Sequence, residues 1–192
     1  MKHYILIISL LLYSLISGAQ EHSTHLKFKG IPIDGNYKEF AKKLVQKDFE
    51  VIESTNDGIA LRGNFMAIPG TMVIVYPDPT SKAVSIVAAM IEVEDKWPAL
   101  NSKYHEVVDT YKQKYGEPTE QVEEFAEETR DYDSWKLMRV RDSQCNYLTK
   151  WTIDGGEIII KLAYFQFRYY VVCSYVDDVN IKALRQTIID DI

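Results

Sequence analysis

The stretch from Asp95 to Gly116, DKWPALNSKYHEVVDTYKQKYG, is the longest in the chain whose apolar residues keep one period. Trp97, Leu100, Tyr104, Val107, Val108, Tyr111 and Tyr115 recur at steps of three and four, which predicts a helix of about five turns with one apolar side. Asp95 is expected to cap its first turn, Pro98 sits where a missing N–H costs nothing, and Gly116 followed by Pro118 supplies a stop. A helix with one apolar side needs a sheet to lie on. Strand-like runs occur on both sides of it, so the helix divides two sheet-forming halves, at about residues 26–94 and 95–192. Runs of hairpin-linked strands with segregated helices indicate an α+β fold, an antiparallel sheet covered on one face by helices. On the order of elements alone, the halves read as two diverged helix-plus-meander units in a single domain.

In chain order, Leu26 to Ile33 reads as one strand interrupted by Gly30 as a bulge. Asn36, with Glu39 three residues on, caps a short helix that buries Phe40, Leu44 and Val45. Phe49 to Ser54 and Ile59 to Phe65 form a hairpin across Asn56-Asp57-Gly58. Pro69-Gly70 is expected to turn the chain into Thr71 to Tyr76, and Pro77-Asp78-Pro79 into Ala83 to Val93. That last run is apolar on both faces, as in a central strand. The acidic stretch Glu117 to Asp133 reads as a solvated face or loop. Trp135 to Arg141 is a short helix, and Cys145 to Ile153, Glu157 to Tyr164 and Phe167 to Val176 are strands. A final amphipathic helix, Asn180 to Asp190, is expected to be capped by Asn180 and to turn Ile181, Leu184 and Ile188 inward.

Lys2 and His3, an apolar run from Tyr4 to Ile16, and the small residues Ser17-Gly18-Ala19 are the three parts of a secretory signal peptide, residues 1–19. The run is shorter than the roughly 20 residues that span a bilayer, so the mature chain, residues 20–192, is expected to be soluble, not membrane-spanning, and periplasmic or secreted. A net charge of −6 argues against nucleic acid as a partner. Cys145 and Cys173 fall on the first and third strands of a meander, too far apart for a disulfide.

The run FKGIPIDG, from Phe28 to Gly35, with Glu39-Phe40 shortly after, and the later KYG-x-P resemble features of small exported Bacteroidota-type proteins of unknown function. The layout of helix-plus-four-strand halves is similar to that of the β-lactamase-inhibitor-protein fold. The first resemblance implies no activity, and the second concerns topology only.

Catalytic signals are weak. Nucleophilic chemistry usually needs a positioned base, yet His22 and His25 read as tail residues and His105 falls on the helix side turned from the core. Clusters of Cys and His for zinc, phosphate-binding glycine loops and the G-x-S-x-G elbow do not occur. No cofactor is implied. A mature N-terminus at Gln20-Glu21-His22 could present an amine, two amides and an imidazole to Cu(II) or Ni(II), with Gln20 and His22 as ligands. These observations point to an exported, non-catalytic binding protein whose partner is a protein or small ligand of the envelope. The alternative is a periplasmic hydrolase with a carboxylate-based site. For the binding surface the sequence offers Arg168 and Tyr170, on the less apolar face of the last strand, since Arg and Tyr often anchor interfaces.

Overall fold

A computed structural model describes residues 24–126 and 132–181 of the chain. Among them, a two-stranded hairpin, β1 (Lys27–Phe28) and β2 (Ile31–Pro32), precedes helix α1 (Tyr37–Val45) and the strands β3 (Glu50–Ser54), β4 (Ile59–Phe65), β5 (Ile68–Pro77) and β6 (Val84–Val93). Helix α2 (Trp97–Tyr115) opens the second half, followed by β7 (Glu120–Phe125), helix α3 (Asp133–Arg141), β8 (Cys145–Ile153), β9 (Gly156–Phe165) and β10 (Arg168–Asp177). A further helix starts at residues 178–181, and most of the segment expected to continue it, to Asp190, lies outside the described residues. No helix among the described residues is long and apolar enough to cross a membrane.

Strands β3 to β10 form one antiparallel sheet in the order β3-β4-β5-β6-β10-β9-β8-β7. Read inward from either edge, the sheet is a four-strand meander that follows a helix, and the two meanders meet where β6 pairs with β10, Val93 opposite Tyr169 through Ile86 opposite Val176. The run from Ala83 to Val93 is thus central, as its apolarity on both faces requires. Alternation decides which side chains of β10 enter the main core: Tyr169, Val171, Cys173 and Tyr175 do, beside Val87, Ala89 and Ile91 of β6. Helices α1 and α2 cover that face. Leu100, Tyr104 and Val107 of α2 are fully buried, each such side chain contributing about 1.5 to 3 kcal/mol in transfer terms.

Several local expectations change. Lys96, not Asp95, is the residue before the first turn of α2, and its side chain makes no capping bond, whereas Asn36 caps α1 by accepting from the Lys38 amide. Val45 stands 46% exposed, and Tyr37 and Ala41 complete the buried stripe of α1. Leu26 to Ile33 is not one bulged strand but a hairpin, because Lys29 (φ 52°) and Gly30 (φ 79°) both adopt positive φ, as a two-residue primed turn requires. The same turn is made without glycine by Met66-Ala67, so Pro69-Gly70 lies inside β5. Gln166-Phe167 make another, which lifts Phe167 off the core face of β10 and leaves it 85% exposed. Part of the acidic stretch is an edge strand, β7, in which Phe125 packs against the main core and the glutamates are mostly exposed. Charged side chains on both edges, β3 and β7, discourage pairing with another chain. The last helix is capped not by Asn180 but by Asp177, which accepts from the Asn180 amide at 3.0 Å. Cys145 and Cys173 are both free, with β9 between their strands.

Candidate functional site

The first described residues are strapped across one end of the sheet. The Leu26 amide donates to Asp177 at 2.9 Å, the Thr24 hydroxyl donates to Asp154 at 2.5 Å, and Ile33 donates back to the Leu26 carbonyl at 2.7 Å. Gly155 makes this approach possible: its φ is +90°, and a Cβ there would lie 2.2 Å from the Thr24 carbonyl oxygen. The strap, the β1–β2 hairpin, the β4–β5 turn and the last turn of α2 together enclose a cavity of about 640 Å³. That volume is within the roughly 300 to 1,000 Å³ of small-molecule sites.

Its floor is aromatic because β4, α2 and β10 each present rings there, Phe65, Tyr111 with Tyr115, and Tyr175, backed by Phe28 and Trp151. Phe65 stacks on Phe28 at 5.4 Å, Phe28 meets Tyr175 edge-on at 5.2 Å, and Tyr175 lies 6.4 Å from Tyr111, which continues to Tyr115 at 5.8 Å and Trp151 at 5.7 Å. Trp151 is fixed in turn by its indole N–H, which donates to the Gly116 carbonyl at 2.9 Å. The hydroxyls of Tyr111 and Tyr175 are 2.5 Å apart and buried. Burial pushes both phenols well above their ordinary range, so they stay neutral, hydrogen-bonding groups at the bottom of the site.

The mouth is basic. Lys27, Lys29 and Lys114 surround it. Lys29 donates to the Asn64 carbonyl at 3.2 Å, and the Lys114 ammonium stands 4.8 Å from the Tyr115 ring centre. Asp154 shares this rim but is engaged by Thr24.

His25 lines the cavity too, and the sequence had placed it in a tail. Its Nδ1 is 3.1 Å from the fully buried Asp177, and its Nε2 is 3.5 Å from Asp34. Asp177 therefore receives three contacts, from Leu26, His25 and Asn180, and serves to tie the strap to the end of β10. This Asp–His pair points its outer nitrogen at a carboxylate rather than at a hydroxyl or thiol, so it orients no nucleophile. The two thiols are poor nucleophiles as well, since burial raises Cys145 to about 11 and Cys173 to about 12. His105 is held on the outer side of α2 by the Asn101 carbonyl and Glu123. No group of three or more metal-ligating side chains occurs among the described residues, and Gln20 and His22 lie outside them.

The surface suggested by the sequence divides. Arg168 is exposed and faces Glu92 at 3.5 Å. Tyr170, expected nearer to water, is only 7% exposed. It belongs to a second small cluster with Ala88, Met90 and Val172 on the sheet face away from α1 and α2, so that face is partly apolar rather than open and polar. Neither residue touches the cavity. Comparison with known protein families, with curated proteins and with solved structures finds no match to this chain.

Proposed function

We propose that this chain is an exported, non-catalytic binding protein and that the cavity between the β1–β2 hairpin and the C-terminal end of α2 holds a small ligand. The observation that carries the reading is the aromatic floor, Phe65, Tyr111 and Tyr175, beneath a polar mouth of suitable volume. Large apolar walls with few placed polar groups bind by shape and desolvation. The carboxylate and imidazole on the walls are already engaged, Asp154 by Thr24 and His25 by Asp177, and are not arranged around a reacting atom, which favours binding over a carboxylate-based hydrolase. Export rests on the charged head, apolar run and Ser17-Gly18-Ala19 of the sequence.

The test is a titration of the full chain with N-phenyl-1-naphthylamine, a neutral fluorescent probe of apolar sites. Saturable binding should be weakened about tenfold by Thr110→Trp, which places an indole across the mouth from an exposed position on α2. Lys161→Trp, beside the second apolar cluster, should leave it unchanged. Absence of saturable binding, or equal loss in both variants, would remove this cavity as the site.

A further inference from the structure

We infer that the ligand of this cavity is a single-chain amphipathic carboxylate, its acyl or aryl body on the aromatic floor and its head group among Lys27, Lys29 and Lys114. The inference rests on the binding reading above and adds the chemistry of the ligand.

Charge carries it. Lys42, Lys96, Lys103, Lys112 and Lys150 each stand within 4 Å of a glutamate, so their charge is already answered locally. Among the described residues, none of the three lysines at the mouth has a carboxylate partner, although acidic residues outnumber basic ones by 28 to 22 over the whole sequence. They come from two places, Lys27 and Lys29 from the β1–β2 hairpin and Lys114 from the last turn of α2. Only the packing of the hairpin beside α2 brings Lys114 to the same mouth. An ammonium has three donors. Lys29 uses one on a backbone carbonyl, and Lys114 lies over a ring, so both retain donors for an incoming oxygen.

A simpler role is available for Lys114, which complements the negative end of the α2 dipole. Lys112 already occupies the same turn, however, and neither Lys27 nor Lys29 is on a helix. The carbonyls ending α2 also make that wall less favourable for an anion, which places the head group on the hairpin side, nearer Lys27 and Lys29. A floor of Phe65, Tyr111 and Tyr175 requires an apolar body. Three lysines on the lining, against Asp154 held by Thr24 and Asp34 and Asp177 held by His25, favour a negative head over a neutral or cationic one. The limited volume selects one chain rather than two.

Displacement of the bound neutral probe by dodecanoate, dodecanol and dodecyltrimethylammonium, each below its micelle concentration, separates the two levels of the claim. At low salt, dodecanoate should displace the probe at about one-tenth the concentration dodecanol needs, the preference expected of three partly exposed ion pairs acting together. The ammonium should be weakest. The preference should shrink in 1 M NaCl, where screening falls to about 3 Å. In Lys27→Gln/Lys29→Gln/Lys114→Gln, with the unfolding midpoint confirming the fold, the ratio of the two affinities should fall to near one. Equal displacement by dodecanoate and dodecanol in the unaltered protein, or stronger displacement by the ammonium, overturns the carboxylate while leaving the binding site in place. Failure of the probe to bind at all refutes the site itself.

Discussion

Tyr111 and Tyr175 give the sharpest energetic test of how the floor is built. Their hydroxyls are 2.5 Å apart in a buried setting, and Tyr111 also interacts with the Cys173 thiol. Removing one partner of a buried hydrogen bond costs about 1 to 3 kcal/mol, because the other is left desolvated, while removing both is far cheaper. Tyr111→Phe strands the Tyr175 hydroxyl and should cost about 2 kcal/mol. Tyr175→Phe leaves Tyr111 its thiol contact and should cost about 1 kcal/mol by the same reasoning. The double variant strands neither hydroxyl and should cost about 1 kcal/mol rather than 3, a coupling of about 2 kcal/mol. For a chain of this size, that places the single variants about 2 to 8 °C below the parent in Tm. Urea unfolding followed by tryptophan emission measures all four proteins, with an unchanged slope showing that only stability has moved.

The same pair makes a pH prediction. Burial raises both phenols above their ordinary value of 10.0, so the folded protein resists an ionisation that the unfolded chain accepts. The resulting stability is fully present below about pH 10 and is lost as pH rises from there toward the folded values. Additive single-variant costs, or a pH dependence above 10 that is unchanged in the double variant, would refute the coupled buried pair.

Two further outcomes follow from close approaches and burial. Gly155→Ala meets both a positive φ of +90° and the Thr24 carbonyl at 2.2 Å, so it should destabilise the protein by about 1 to 3 kcal/mol and increase amide exchange at Leu26; an unchanged midpoint would show that the strap does not pack there. Ellman's reagent at pH 8 should react slowly with the folded protein, because burial raises Cys145 to about 11 and Cys173 to about 12. It should titrate two thiols after unfolding without reductant, and finding none would overturn the order of β8, β9 and β10.

The sequence revealed elements whose signal is periodic. The spacing from Trp97 to Tyr115 identified α2 and its buried face, and alternation in β10 separated Val171, Cys173 and Tyr175 from Arg168 and Tyr170. It failed where conformation or context overrides composition. Lys29, Met66, Ala67, Gln166 and Phe167 take positive φ in tight turns, which their residue types do not advertise. The glutamates of β7 read as a loop because an edge strand exposes most of its side chains. Tyr170 was assigned to solvent because the second sheet face has its own apolar cluster, assembled from β6 and β10 side chains some 80 positions apart. The cavity was the least legible feature. Thr24 and His25 of the strap, Lys27 of β1, Phe65 of β4, Tyr111 of α2 and Tyr175 of β10 are far apart in sequence, and the hairpin pairing, the Gly155 approach and the β6–β10 junction bring them together. His25 could have been suspected only from a partner 152 residues away.

The central claim is that ligand enters between the hairpin and α2, and backbone amide chemical-shift mapping tests it most directly. Addition of dodecanoate to the ¹⁵N-labelled full chain should move the resonances of Leu26, Lys29, Met66, Thr110 to Tyr115 and Asp154, with the Trp151 indole N–H shifting through its contact with Tyr111. Shifts confined instead to Ala88, Met90, Tyr170 and Val172 would place binding on the opposite face of the sheet and contradict the account.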